Sequence, residues 1–297
     1  MADRYRRELL AHCYRMLGSA TDAEDVVQET YLRAWRNLDR FEGRSSLRTW
    51  LYRIATNACL EALEGSSRRP LPSGLGGPSD PGVELGKGLD VPWLEPFPDP
   101  ADIVEAQHDT RLALVAALQH LPPRQRAVLI LRDVLTWRAA EVAELLGTTP
   151  VAVNSALHRA RAQLAQVEPA RLAEPSEPRL RELLDSYATA FERADVQGLV
   201  RLMAHDAIWE MPPLAEWFSG REAIGSFLSH RLTPGAFRLV PVRANGQPGF
   251  TVHQYGRQHA LQVLEVAASG VVRIVHFLLL DDQVDQSGEA GVEVVPA

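Results

Sequence analysis

Two groups of side chains stand at spacings that a helix would turn into a working surface. Arg48, Trp50, Tyr52, Arg53 and Asn57 combine cations, aromatic rings and an amide. Such a set can stack on an unstacked nucleic-acid base and hydrogen-bond its edge. Trp50 would serve equally well as packed core, and the arginines as a solvated face. Further along, Asn154, Ser155, His158, Arg159 and Arg161 recur on one side of a helix, with Arg138 and Thr149 upstream. These are donors and acceptors suited to phosphates and to base edges in a major groove.

Two further groups carry a weaker signal. Glu24, Asp25, Gln28 and Glu29 make an acidic and amide face on one helix, which also stabilises the positive end of the helix dipole. His205, Asp206, Glu210, His253, His259 and His276 are spread over strand-like segments without a diagnostic spacing. One of them could act as a general base, or Trp209, Glu210, Trp217, His253 and His276 could frame a small-molecule pocket. A lone histidine on a strand is more often a satisfied or surface group, and Trp209, Met211, Trp217, Phe218 and Phe227 would equally make plain core.

The elements that must position these residues are read from periodicity. Val27, Tyr31, Ala34 and Leu38 recur at helical spacing, after Thr21, Asp22, Glu24 and Asp25, which supply a cap and negative charge. A second helix from about Ser45 puts Leu47, Leu51, Ile54 and Ala58 on one stripe, with Arg48, Tyr52, Arg53, Thr56 and Asn57 largely outside it. From about 104 to 168, four helices are punctuated by Leu121-Pro122-Pro123, Gly147 and Thr148-Thr149-Pro150. A short helix, a tight Gly turn and a second helix is the helix-turn-helix plan. In the last helix Val153, Leu157, Ala160 and Leu164 face inward.

From about 178 to 283 the pattern changes to a helix bearing Leu180, Leu184, Tyr187 and Phe191, then strands at 207–211, 237–244, 251–255, 259–267 and 271–280, with a third helix at 221–229. Helices followed by a curved antiparallel sheet make an α+β domain. The predicted organisation is therefore multidomain: two all-α domains at 1–69 and 104–168, a Pro/Gly-rich linker at 70–103, a short linker at 169–177, the α+β domain at 178–283 and a flexible tail at 284–297.

Composition narrows the class. With 46% hydrophobic and 23% charged residues the chain is globular rather than disordered. No apolar run approaches the length of a membrane span, and the N-terminus lacks a signal-peptide pattern, so no membrane partner and a cytoplasmic location are expected. Cys13 and Cys59 have no zinc or CxxC spacing, so neither a metal nor a disulfide framework is expected. The net charge of −7 conceals mildly basic helical blocks alternating with an acidic linker and an acidic C-terminal third. Nucleic acid is thus not excluded.

Residues 22–63 (DAEDVVQETYLRAWRNLDRFEGRSSLRTWLYRIATNACLEAL) and 121–164 (LPPRQRAVLILRDVLTWRAAEVAELLGTTPVAVNSALHRARAQL) together resemble the extracytoplasmic-function sigma factors of the sigma-70 family. The order and separation of the two segments make the resemblance specific. VPWLEPFPD, residues 91–99, resembles the linker of members that carry a C-terminal SnoaL-like, polyketide-cyclase-like extension with a cone-shaped, cystatin-like fold.

The resemblance implies a sigma factor, not an enzyme and without a cofactor, whose partners are core RNA polymerase and promoter DNA. Glu24, Asp25, Gln28 and Glu29 would dock on the clamp helices of the largest polymerase subunit. Arg48, Trp50, Arg53 and Asn57 would read the −10 element; Arg138, Thr149, Ser155, His158, Arg159 and Arg161 would read the −35 element. The extension, with Trp93, Leu94, Glu95 and Pro96, would regulate in place of a separate anti-sigma factor, with a small-molecule ligand open. One departure is plain: Glu64-Gly65-Ser66-Ser67 precede Arg68-Arg69, so the basic end of the −10 helix is delayed. The alternatives are a ligand-sensing one-component regulator and a protein with added cyclase or isomerase activity.

Overall fold

The computed structural model describes residues 3–41, 43, 45–65, 67–97, 111–167 and 175–279. The predicted tail from 284, and residues 98–103 and 169–174 of the predicted linkers, lie outside them.

The first helical block is α1 (Asp3–Leu17), α2 (Ala20–Arg36) and α3 (Leu47–Ala62). The cap of α2 is Ser19, not Thr21: its hydroxyl accepts from the Asp22 amide at 3.0 Å. Gly18, at φ +71°, turns the chain sharply enough to bring Ser19 to the cap position. Along α3, Leu51 and Ala58 are buried as the stripe predicts, but so are Tyr52 and Thr56, which the stripe leaves outside. The helix is covered on more than one side. Thr56 bonds His12 of α1 at 3.0 Å, and Tyr52 meets Trp137 of the second block edge-on at 6.3 Å. A single-stripe reading assumes one packing partner, and α3 has two.

The second block is α4 (Leu112–Leu118), α5 (Pro123–Leu129) widening into a π turn at Ile130–Val134, α6 (Ala139–Leu146) and α7 (Pro150–Val167). Gly147 adopts the left-handed conformation that ends α6. The Thr149 hydroxyl accepts from the Ala152 amide at 3.2 Å, starting α7. Val153, Leu157 and Ala160 are buried as expected.

The third unit comprises α8 (Glu177–Glu192), α9 (Val196–Leu202), β1 (Met203–Glu210), β2 (Trp217–Ser219), α10 (Arg221–Ser229), β3 (Phe237–Ala244), β4 (Gln247–Gln254), β5 (Arg257–Ala267) and β6 (Gly270–Leu278). Its six strands lie in the order β2-β1-β6-β5-β4-β3. The sheet is mixed rather than antiparallel, because β6 runs parallel to β1. Three hairpins from β3 to β6 bring the last strand back beside the first in the same direction. The short β2 has too few residues to show alternation, which is why it was missed.

Both faces of this sheet are covered. One buries Trp209, Phe250 and Ile274 against Tyr187 of α8 and Phe227 of α10. The other presents Ala244, Val263, Val275 and Phe277 to the core shared by the helical blocks. Since successive strand residues point to opposite faces, a single alternating pattern supplies both cores. Among the described residues no helix is long and apolar enough to cross a membrane.

Candidate nucleic-acid interface

The residues of α3 do not form one free surface. Arg48 donates to the Glu8 carboxylate at 2.7 Å and lies 5.0 Å from the Tyr52 ring; the Glu8 bond raises its pKa. Trp50 is half-buried and tilted on Phe41 at 4.8 Å, so it is both packed and accessible. Arg53 donates to Glu144 of α6 at 2.8 Å, tying the first block to the second. Asn57 is exposed and lines a pocket of about 400 Å³ with Arg33, Asn37, Trp50, Ile54 and Glu61. Sequence reasoning missed Arg33, Asn37 and Glu61, which come from α2, from the residue after it, and from the end of α3.

On α7, Asn154, Ser155, His158 and Arg159 are exposed and, with Val151, line an open groove of about 470 Å³. Arg161 is instead held by both Asp133 oxygens, at 2.7 and 2.9 Å, and the hydrogen bonds raise its pKa. Arg138 is exposed and begins α6, where its amide donates to Glu141 at 2.7 Å.

The acidic face of α2 divides. Glu24 pairs with Arg6 and Glu29 with Arg33, whereas Asp25 and Gln28 are exposed. The same face continues with two residues that sequence reasoning passed over: Leu32 is half exposed, and Trp35 is 79% exposed. A large aromatic in water is an informative observation. Its signal was present in the sequence, at spacings of four and seven from Gln28.

The segment 70–97 is strapped to the structure on both sides. The Ser73 amide donates to Glu210, the Gly86 amide to Glu216, and the Ser79 amide to the Trp217 carbonyl. The chain then returns to α1 and α2. Trp93 and Leu94 are buried and Pro96 is half-buried. Glu95 accepts from the amide and the hydroxyl of Thr21 at 3.1 Å each, and the Tyr14 hydroxyl donates to the Glu95 carbonyl at 2.7 Å. Arg69 bridges the Trp93 carbonyl and Asp22, while Arg68 meets His120 and the Gly74 carbonyl. The delayed basic pair thus holds the linker.

Asn245, in the turn between β3 and β4, is fully buried in the helical blocks. Its side-chain Oδ1 accepts from the Phe97 amide at 2.8 Å, its backbone amide donates to the Phe97 carbonyl, and its side-chain nitrogen donates to the Tyr14 hydroxyl at 2.7 Å. Next to it, Gln247 accepts from the Leu112 amide at 2.8 Å. Arg126 of α5 closes the contact between the blocks by donating to the Met16 carbonyl; burial pushes its pKa down to about 10.

The five predicted pocket residues are not brought together. Trp209 and His276 stack at 5.6 Å on the inner face. Glu210 points to the opposite face, toward Ser73 and Arg273; Trp217 sits at the sheet edge, bonded to Gly76; His253 lies apart on β4. Burial pushes His276 down to about 3, and its ring accepts from Gln262 at 2.9 Å. So weak a base does not suit proton abstraction near neutrality. Among the described residues no cluster could hold a metal ion.

These features define a class of protein: residues 1–69 match the family model for sigma-70 region 2, residues 111–164 that for sigma-70 region 4, and residues 184–282 that for a SnoaL-like domain. The chain is 54% identical to the ECF RNA polymerase sigma factor SigG of Mycobacterium tuberculosis, over 92% of this chain and 79% of that protein. It is 30% identical to SigJ of the same organism, over 78% and 73%. The crystal structure of SigJ superposes with a TM-score of 0.64 over 94% of this chain and 95% of that one, at 23% identity, a likeness of fold. The chain belongs to the extracytoplasmic-function RNA polymerase sigma factors, which initiate transcription and are not enzymes.

Proposed function

We propose that this sigma factor is held closed by its own SnoaL-like domain, and that opening licenses promoter recognition. The −10 and −35 elements lie about 25 base pairs apart, which at about 3.4 Å per pair is roughly 85 Å along the duplex. An α3 that reads the first element cannot also rest against α6 while α7 reads the second. In the present arrangement Arg53 does rest on Glu144.

The observation that carries the reading is the buried node of Tyr14, Glu95, Phe97 and Asn245. It joins region 2, the Trp93-Leu94-Glu95-Pro96 linker and the SnoaL-like domain in one hydrogen-bonded unit. Removing one partner leaves buried groups unpaired at a cost of about 1–3 kcal/mol each. Contacts of this kind within the chain do the work of a separate anti-sigma factor. In the open state Asp25 and Gln28, extended by Leu32 and Trp35, meet the polymerase clamp helices. Arg48, Trp50, Arg53 and Asn57 meet the −10 element, and Arg138, Thr149, Ser155, His158, Arg159 and Arg161 the −35 element.

The test is run-off transcription from the protein's own promoter with core polymerase, comparing the full-length chain with Asn245→Ala. Higher activity in the variant, together with a longer distance between fluorophores on α2 and α7, is the expected result. Equal activity at unchanged distance would reject the closed-state reading.

A further inference from the structure

The pocket between α2 and α3 has a wall that the reading of α3 alone leaves unused. Arg33 spans it: Nη1 lies 2.8 Å from Glu61 Oε2, and Nε donates to Glu29 at 2.7 Å. Hydrogen bonds donated to these two carboxylates raise the Arg33 pKa, so the guanidinium is a fixed cation between them. Asn37 donates one side-chain N–H to the Arg33 carbonyl at 2.8 Å, which orients its amide at the end of α2. Glu61 is held in place from one side, and its Oε1 has no partner among the described residues. Trp50, Ile54 and Asn57 line the pocket on the same face of α3 as Glu61, at spacings of four, three and four along the helix. They offer an aromatic face, an aliphatic surface and an amide that has no side-chain partner among the described residues.

An ionised carboxylate only accepts hydrogen bonds. A base turned out of its stack presents its pairing edge to such a wall. Adenine, cytosine and guanine each carry an exocyclic amino group that can donate to Glu61. Thymine has none, and its two carbonyl oxygens flank a single ring N–H, so one of them would face the carboxylate. We propose that this pocket takes one unstacked base bearing an exocyclic amino group and rejects thymine, with Glu61 as the selecting residue and Arg33 positioning it. The inference rests on the sigma-factor reading of α3 and goes beyond it by naming the chemistry of the captured base.

The experiment uses core polymerase loaded with the full-length protein and fluorescent single-stranded DNA from the non-template strand of its own promoter. Each base across the −10 element is replaced singly, and binding is measured by polarisation. At one position, thymine weakens binding by about fivefold or more relative to the best amino-bearing base, the lower end of what a base-edge contact gives. Glu61→Gln, whose amide can donate as well as accept, brings that penalty to within about twofold, and leaves penalties at other positions as they were. A thymine penalty equal in wild type and Glu61→Gln, or no position that rejects thymine, overturns the proposal while run-off transcription stays intact. A wild-type protein that neither binds the strand nor transcribes would instead remove the reading of α3 on which it rests.

Discussion

Arg53 on α3 donates to Glu144 on α6 at 2.8 Å, so a cation of the first helical block is occupied by a carboxylate of the second. The Nη1 group held by Glu144 is thereby taken from any DNA phosphate. In the closed state proposed above, opening would free this side chain for DNA, so the two events would be coupled through it.

Both partners are at least a third exposed, which limits the pair to about 1 kcal/mol at most. Glu144→Gln is expected to raise the open population by up to about fivefold at low salt. Single-molecule distances between fluorophores on α2 and α7 would read it. The difference should shrink as salt screens the pair, and a salt-independent effect would show that Glu144 acts by packing instead.

Gly18 lies at φ +71°, and a Cβ placed on it would come 2.9 Å from Leu94 Cδ1. Gly18→Ala combines left-handed strain of about 1–2 kcal/mol with a clash against the docked linker. Faster proteolysis within residues 70–97 than in wild type is the expected result. Cleavage at the wild-type rate would mean that the linker does not depend on this close approach.

His12 and His276 are fully buried, and burial pushes both down to about 3, with Arg15 and His259 adding to the effect respectively. In the unfolded chain each returns to an ordinary value near 6.5. Between these limits the unfolded state binds more protons, so stability falls as pH drops below about 6.5. The slope is up to about 1.4 kcal/mol per pH unit for each histidine. Urea midpoints at pH 7 and pH 5 would show the loss, and His276→Gln should make it shallower. Coincident midpoints for the wild type would contradict it.

Arg159 is exposed in the α7 groove. If it contacts a phosphate, Arg159→Ala lowers the affinity of the loaded polymerase for −35 duplex across sequences and reduces the log–log salt slope by about 1. A change in sequence preference at unchanged slope would assign Arg159 to a base edge.

Much of the architecture was legible because its causes are local. Gly147 ends α6, Thr149 and Pro150 start α7, and the Val153, Leu157 and Ala160 stripe buries itself wherever a partner lies. The fate of Arg48 and Arg53 was not legible. A cation on a helix face has the same appearance in sequence whether it meets water, DNA or Glu8 and Glu144, which are 40 and 91 residues away.

By itself the sequence determined the helices of both blocks, the α+β character of the C-terminal third and the family, since these follow from periodicity, capping residues and contiguous motifs. Only the tertiary structure decided that Asn245 is buried beside Tyr14, that Arg68 and Arg69 grip the linker, and that Arg33 of α2 lines one pocket with Asn57 and Glu61 of α3. The physical reason is distance along the chain. Hydrogen bonds and ion pairs form between groups that folding brings together, and a polar residue carries no local sign of which remote partner will satisfy it.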